Sequence, residues 1–205
     1  MPSRPRLIIF ARTPVLGTVK TRLAAVIGDQ AALAAHIALT EGILARCVSP
    51  SDYDTELWLA GTQIPEDPVL ARWLEEYELT PYSQPSGDLG RRMAFALEAR
   101  PGPAVLIRSD LLEVDAGYIN QALASLAEAD VVIGPAEDGG YGLIGASRPV
   151  TELFSEVDWG TSRVYEQTQQ RALKAALSVA VSGTLRDVDT PAEYHQWQRA
   201  SPSAT

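Results

Sequence analysis

Short apolar runs alternate with longer stretches of helical periodicity along most of the chain, and each kind of run predicts a different element. Arg6-Leu7-Ile8-Ile9-Phe10-Ala11 is a continuous apolar run stopped by Arg12-Thr13-Pro14, the pattern of a buried strand. Residues 30–47 are rich in Ala and Leu at helical spacing and predict the first crossover helix, followed by a strand at 57–60 and a helix at 68–77. A weak strand at 79–82 precedes Gly87-Asp88-Leu89-Gly90 and an amphipathic helix at 91–99. Further strands are predicted at 104–107, 131–133, 141–144 and 177–181, with helices at 116–127 and 162–176, and Pro191 opens a last helix. The alternation predicts an α/β fold with a mostly parallel sheet and helices on both faces, whose ligands sit at the C-terminal strand ends. No internal repeat or linker interrupts the pattern. One domain is expected over residues 1–199, with a disordered tail at 200–205.

Composition leaves this picture in place, with 46% hydrophobic and 21% charged residues, ordinary globular values. No apolar run is long enough for a signal segment or a membrane span, so a cytoplasmic location is expected. The lone Cys47 reads as a buried thiol. A net charge of −9 argues against a general nucleic-acid binder. Charge distribution adds something new: Arg4, Arg6, Arg12, Lys20 and Arg22 occur before any acid, and are expected to draw an anionic ligand to that end.

The loops after strands hold the candidate chemistry. Arg12 to Arg22 combines Gly17, cations and backbone N–H groups near a helix start, which suits a polyphosphate; a solvated basic loop is the alternative. The segment has neither the Walker A spacing nor the dinucleotide glycine pattern. Asp110 after an apolar strand reads as a helix cap or a metal ligand, and the cap is preferred on position alone. Asp187 and Asp189 are expected to point to opposite sides of an extended segment, with at most one facing the cleft and Asp189 also capping the last helix. Pro135 to Tyr141 is a turn whose Gly139 and Gly140 permit close approach of a ligand, or a plain hairpin. Asp88 with Arg91 and Arg92 reads as a capped surface helix or as a loop that reads a base or ribose. His36 and His195 are expected far from these loops, and no nucleophile-base pair suggests a hydrolase.

Four of these segments taken in order resemble a known family: Phe10 to Leu23, Gly87 to Met93, Gly134 to Tyr141, and Asp187-Val188-Asp189-Thr190-Pro191. Together they are similar to the glycosyltransferase-like family related to 2-phospholactate guanylyltransferases, within the GT-A nucleotide-diphospho-sugar transferase superfamily. The resemblance implies a Rossmann-like GT-A three-layer domain. In it Ala11, Arg12, Thr13, Pro14, Gly17, Lys20, Thr21 and Arg22 cradle the nucleotide, with Asp88 near the base. It implies Asp110, Asp187 and Asp189 as ligands of Mg2+ or Mn2+, with Lys20 and Asp110 catalytic. Glu137, Asp138, Gly139, Gly140, Tyr141, Trp159, Gly160, Thr161 and Ser162 would line the acceptor pocket. The family usually carries Gly-Ser/Thr-Asp-Cys-Pro where this chain has Arg108-Ser109-Asp110-Leu111-Leu112, and an Arg108 facing the cleft would oppose a divalent ion. Three functions follow: glycosyl transfer from a nucleotide sugar to a small acceptor, nucleotidyl transfer from a triphosphate to a phosphorylated acid, or nucleotide binding without catalysis. No nucleic-acid or membrane partner is implied, and the oligomeric state is left open.

Overall fold

The computed structural model describes residues 3–61 and 66–200. Seven strands form one sheet: β1 Arg6–Ala11, β2 Asp54–Leu59, β3 Thr80–Ser83, β4 Ala104–Arg108, β5 Val131–Pro135, β6 Tyr141–Ala146 and β7 Val179–Val181. Their order is β3-β2-β1-β4-β6-β5-β7, parallel except for β6, which runs antiparallel to both its neighbours. Strand alternation divides the core in two. Leu7, Ile9, Val105 and Ile107 face helices α2 Asp29–Cys47, α3 Pro68–Glu76 and α5 Ala116–Ser125. Ile8, Phe10, Leu106 and Ile144 face α4 Leu89–Glu98, a 3₁₀ turn Thr151–Phe154 and α6 Val164–Lys174. This is the expected α/β sandwich. The expected tail lies outside the described residues apart from Ala200, which ends α7 Pro191–Ala200. No helix among the described residues is long and apolar enough to cross a membrane.

Two features depart from the hydrophobic pattern. A short helix α1, Thr21–Ile27, precedes α2 and buries only Leu23, too little apolar surface to register as a periodic run. Second, the five early cations do not act together. Arg6 begins β1, at the end of the sheet opposite its C-terminal loops, and is fully buried. Its guanidinium pairs with Glu56 at 3.2 Å and donates to the carbonyls of Leu97 and Arg100 at 2.7 and 3.0 Å. It thus neutralises a buried carboxylate and satisfies carbonyls at the C-terminus of α4. Arg4 pairs with Asp54 nearby. Only Arg12, Lys20 and Arg22 remain at the ligand end.

Where β6 lies between β4 and β5, Gly145 fits because it has no side chain. A Cβ there would lie 2.7 Å from Val105 Cγ1, 2.8 Å from Val132 Cγ1 and 2.9 Å from the Ala104 carbonyl oxygen. Gly145→Ala is therefore expected to lower unfolding stability by about 1–3 kcal/mol through overpacking, read from urea denaturation at unchanged m-value.

Candidate functional site

The C-terminal ends of β1 and β4 open into a cavity of about 400 Å3 lined by Arg12, Lys20, Arg22, Arg92, Arg108, Asp110 and Asp189, among others. A second cavity of about 400 Å3 contains Asp138, Gly140, Tyr141, Trp159, Gly160, Thr161 and Ser162. Phe10, Arg22, Leu89, Arg108 and Asp189 line both, so the two chambers adjoin.

Lys20 stands at the centre. It precedes α1 in a left-handed conformation, with φ 45°, which side-chain-bearing residues seldom adopt. Its Nζ lies 2.5 Å from Asp110 Oδ2 and 2.8 Å from Asp189 Oδ1. Burial would depress the Lys20 ammonium, but Asp110 and Asp189 outweigh it and raise its pKa. Burial likewise opposes the Asp110 carboxylate, and Lys20 and Arg108 reverse the effect and lower its pKa.

Arg108 ends β4 and reaches across to Asp187, with Nη2 2.5 Å from Oδ2, while its Nε lies 3.7 Å from Asp110 Oδ1. The Asp187 carboxyl is raised by burial and by the charges of Asp110 and Asp189, against the attraction of Arg108. Asp187 sits on a backbone segment fixed by a bridge to Leu111 and by the hydrogen bond from Leu112 N–H to the Arg186 carbonyl.

Several expectations change here. Asp187 and Asp189 do not diverge: their carboxylate oxygens and one from Asp110 all lie within 4.8 Å of one another. Side chains two residues apart in extended backbone share a face, and Val188 between them is buried. Asp110 caps no helix; Asp115 caps α5 by accepting from Tyr118 N–H at 2.8 Å. Nor does Asp189 cap α7. Thr190 and Glu193 form a reciprocal capping box there, with Thr190 N–H donating to Glu193 Oε2 and Glu193 N–H to Thr190 Oγ1. That releases Asp189 for Lys20.

His36 is not remote. It lines the first cavity, donates Nε2–H to the Arg12 carbonyl at 3.0 Å, and has its pKa lowered mainly by burial. Its hydrogen bond holds the loop. Helical spacing alone could not reveal this, because α2 passes beneath a loop many residues away in sequence. Ser109 and Gln84 also line the first cavity without having been singled out, and Arg92, read with Asp88 as part of a capped helix or a base- or ribose-reading loop, joins them. Arg92 belonged to a motif segment, whereas Gln84 carried no signal.

The remaining candidates divide. Ala11 and Thr21 line the first cavity. Thr13 is buried beside it, and Thr13, Pro14 and Gly17 are not among its lining residues. Asp88 caps α4, accepting from Arg91 N–H at 2.8 Å, and its neighbours Leu89 and Arg92 reach the cavity instead. Glu137 is exposed and Gly139 supports the turn: its φ is 84°, and a Cβ there would lie 2.2 Å from the Ser162 carbonyl oxygen. Gly139 thereby lets the 135–141 turn pack against the loop that carries Thr161 and Ser162. Cys47 is buried, its thiol pushed up to about 12 by desolvation, as a core thiol should be.

The three aspartates supply the hard oxygen donors that Mg2+ or Mn2+ takes, and Asp110 Oδ1 has no hydrogen-bond partner among the described residues. Each carboxylate, however, already faces a side-chain cation, Lys20 for Asp110 and Asp189 and Arg108 for Asp187. In this arrangement the ligand set does not fit a divalent ion.

The family described as "Uncharacterized protein conserved in bacteria (DUF2064)" matches residues 43–161, more than half of the chain. The chain belongs to this family. No curated protein sequence matches it. Among solved structures, a Desulfovibrio desulfuricans G20 protein described as a nucleotide-diphospho-sugar transferase is 27% identical, with a TM-score of 0.84 over 99% of this chain and 90% of that one. CMP:2-keto-3-deoxy-manno-octonic acid synthetase complexed with CTP shares the fold at 12% identity, with a TM-score of 0.61 over 99% and 100% of the chains. A Mycobacterium tuberculosis H37Rv protein in complex with manganese does so at 14% identity, with a TM-score of 0.52 over 97% and 100%. The DUF2064 chain therefore has a GT-A-like fold.

Proposed function

We propose that this protein is a nucleotide-binding transferase that moves a glycosyl group from a nucleoside-diphosphate sugar to the hydroxyl of a small acceptor. The observation that carries the proposal is the pair of adjoining chambers, which share Arg22, Arg108 and Asp189 in their linings. The first concentrates Arg12, Lys20, Arg22, Arg92 and Arg108 around Asp110 and Asp189, and so suits phosphates. The second presents Trp159 and Tyr141 with Asp138, Thr161 and Ser162, a lining of aromatic faces and hydroxyl-directed polar groups that suits a sugar. Burial raises the Tyr141 phenol, which stays protonated and able to donate.

In this reading the diphosphate lies where the two chambers adjoin, with the sugar in the aromatic chamber. Lys20 and Arg108 stabilise the charge that grows on the departing diphosphate. His36 keeps the Arg12 loop in place.

A second reading, nucleotidyl transfer from a triphosphate to a phosphorylated acid, is favoured by one observation: five cations in the first chamber face only two lining carboxylates, more than a diphosphate needs. Melting curves with each nucleoside di- and triphosphate and each nucleotide sugar separate the readings, because a ligand selective for the folded state raises the melting temperature by mass action. Glycosyl transfer predicts a nucleotide sugar that stabilises more than its diphosphate, and release of that diphosphate when acceptors are added. Stabilisation by triphosphates only, with release of pyrophosphate, would replace it with nucleotidyl transfer. Binding without turnover across both panels would leave a nucleotide-binding protein without catalysis.

A further inference from the structure

We propose that Arg108, together with Lys20, occupies the place of a divalent cation in this site, so that the chain holds its donor's phosphates with side-chain cations and no metal ion. The inference rests on the reading of the first chamber as a phosphate subsite. It concerns how that subsite is charged.

The geometry that leads to it is the pairing of every carboxylate in the acidic cluster. Three negative side chains, Asp110, Asp187 and Asp189, meet two positive ones within ion-pair distance, which leaves one net negative charge for any further cation. Lys20 stands on a loop by a flexible four-carbon stem and can exchange a carboxylate for a phosphate oxygen. Arg108 is placed differently. Its backbone is held in the sheet opposite Phe10, and its partner Asp187 is held by the bridge to Leu111, so both ends of that pair are fixed by main-chain hydrogen bonds. A divalent ion among the three aspartates would have to sit beside a guanidinium that cannot lose its proton and that is already paired with one of them.

The same guanidinium has donors to spare. Among the described residues only Nη2 makes a hydrogen bond, and the buried Nε has no hydrogen-bond partner. Arg108 also lines both chambers, the position a diphosphate bridging nucleotide and sugar would cross. A planar fork with unused N–H groups at that point matches phosphate oxygens, and its charge is permanent. What a metal supplies elsewhere by coordination, Arg108 supplies here by charge-assisted hydrogen bonds.

The test uses the full chain, Mn2+ as the metal probe and inorganic pyrophosphate as the phosphate probe. Mn2+ binding is read from the electron paramagnetic resonance of the free ion, and pyrophosphate binding from titration calorimetry in EDTA and in Mn2+. The wild type is expected to bind no Mn2+ at millimolar concentration and to bind pyrophosphate equally with and without it. Arg108→Gln is expected to weaken pyrophosphate binding in EDTA by about 10-fold, the loss of a charge-assisted pair, and to acquire Mn2+ binding. Mn2+ binding by the wild type, with pyrophosphate binding dependent on it, overturns the inference. So does an Arg108→Gln protein that folds and still binds no Mn2+. If that variant does not fold, the two wild-type titrations decide alone. Failure of pyrophosphate to bind under any condition counts against the phosphate subsite itself, while the Mn2+ titrations still decide whether Arg108 excludes the metal.

Discussion

Lys20→Gly is expected to reduce donor turnover by about 100-fold or more, the loss that follows removal of one preorganised group facing charge in the transition state. Its contribution to stability separates from its chemistry because of the backbone. Lys20 is held at φ 45°, a conformation that costs a side-chain-bearing residue on the order of 1 kcal/mol and glycine almost nothing. Its ammonium meanwhile offsets the repulsion between Asp110 and Asp189. Lys20→Met keeps the strained backbone and leaves Asp189 without its cation and Asp110 with Arg108 alone. It should therefore unfold about 3 kcal/mol more easily, the low end for a broken buried pair because Asp189 is 41% exposed. Lys20→Gly recovers part of that loss. Urea denaturation and release of nucleoside diphosphate, measured on both variants, check the pair of outcomes. A glycine variant less stable than the methionine one would show that the left-handed conformation is unstrained. A glycine variant with wild-type turnover would remove Lys20 from the chemistry.

Arg6→Met should cost more stability than any substitution at the ligand end, about 3–5 kcal/mol, because it leaves Glu56 buried with one cation fewer and strips two donors from carbonyls at the end of α4. Glu56 keeps Trp58 Nε1–H at 2.9 Å and Arg100 at 3.0 Å, which holds the loss short of a fully orphaned carboxylate. The double variant Arg6→Met with Glu56→Gln is expected to be less destabilised than the sum of the two single changes, since the second removes the charge that the first exposes. Denaturation of the four proteins of this cycle measures the coupling. Additive losses would mean that Arg6 acts on α4 alone. Ligand binding should follow stability, because α4 delivers Leu89 and Arg92 to the first chamber.

The order and type of the strands and longer helices were legible in the sequence because burial between two helical layers leaves near-continuous apolar runs in a parallel sheet, and Arg6 to Ala11 shows this most clearly. The four motif segments likewise carried the family resemblance and named Lys20, Asp187 and Asp189, while Asp110 was marked by its place after an apolar strand, since loops at strand ends are where unusual residues gather. Pairing was not legible. Arg6 and Arg12 are alike in sequence, yet one neutralises a buried glutamate at the far end of the sheet and the other stays at the ligand end, a difference set by strand register. Helix α1 was missed because one buried leucine makes no period. His36 was misplaced because only the packing of α2 against the first strand brings it beneath the Arg12 loop.

The aspartates show the same division. Their presence after β4 and before α7 could be read directly, but their convergence required the backbone path that ties Asp187 to Leu111. Arg108 was visible as an unusual residue beside Asp110, and its charge raised the question of the metal. Whether that charge meets the cluster or turns away from it depends on side-chain direction at a strand end. Sequence thus determined which charges this protein carries and on which loops. Tertiary structure decided which of them cancel, because ion pairing depends on separations of a few ångströms between residues far apart along the chain.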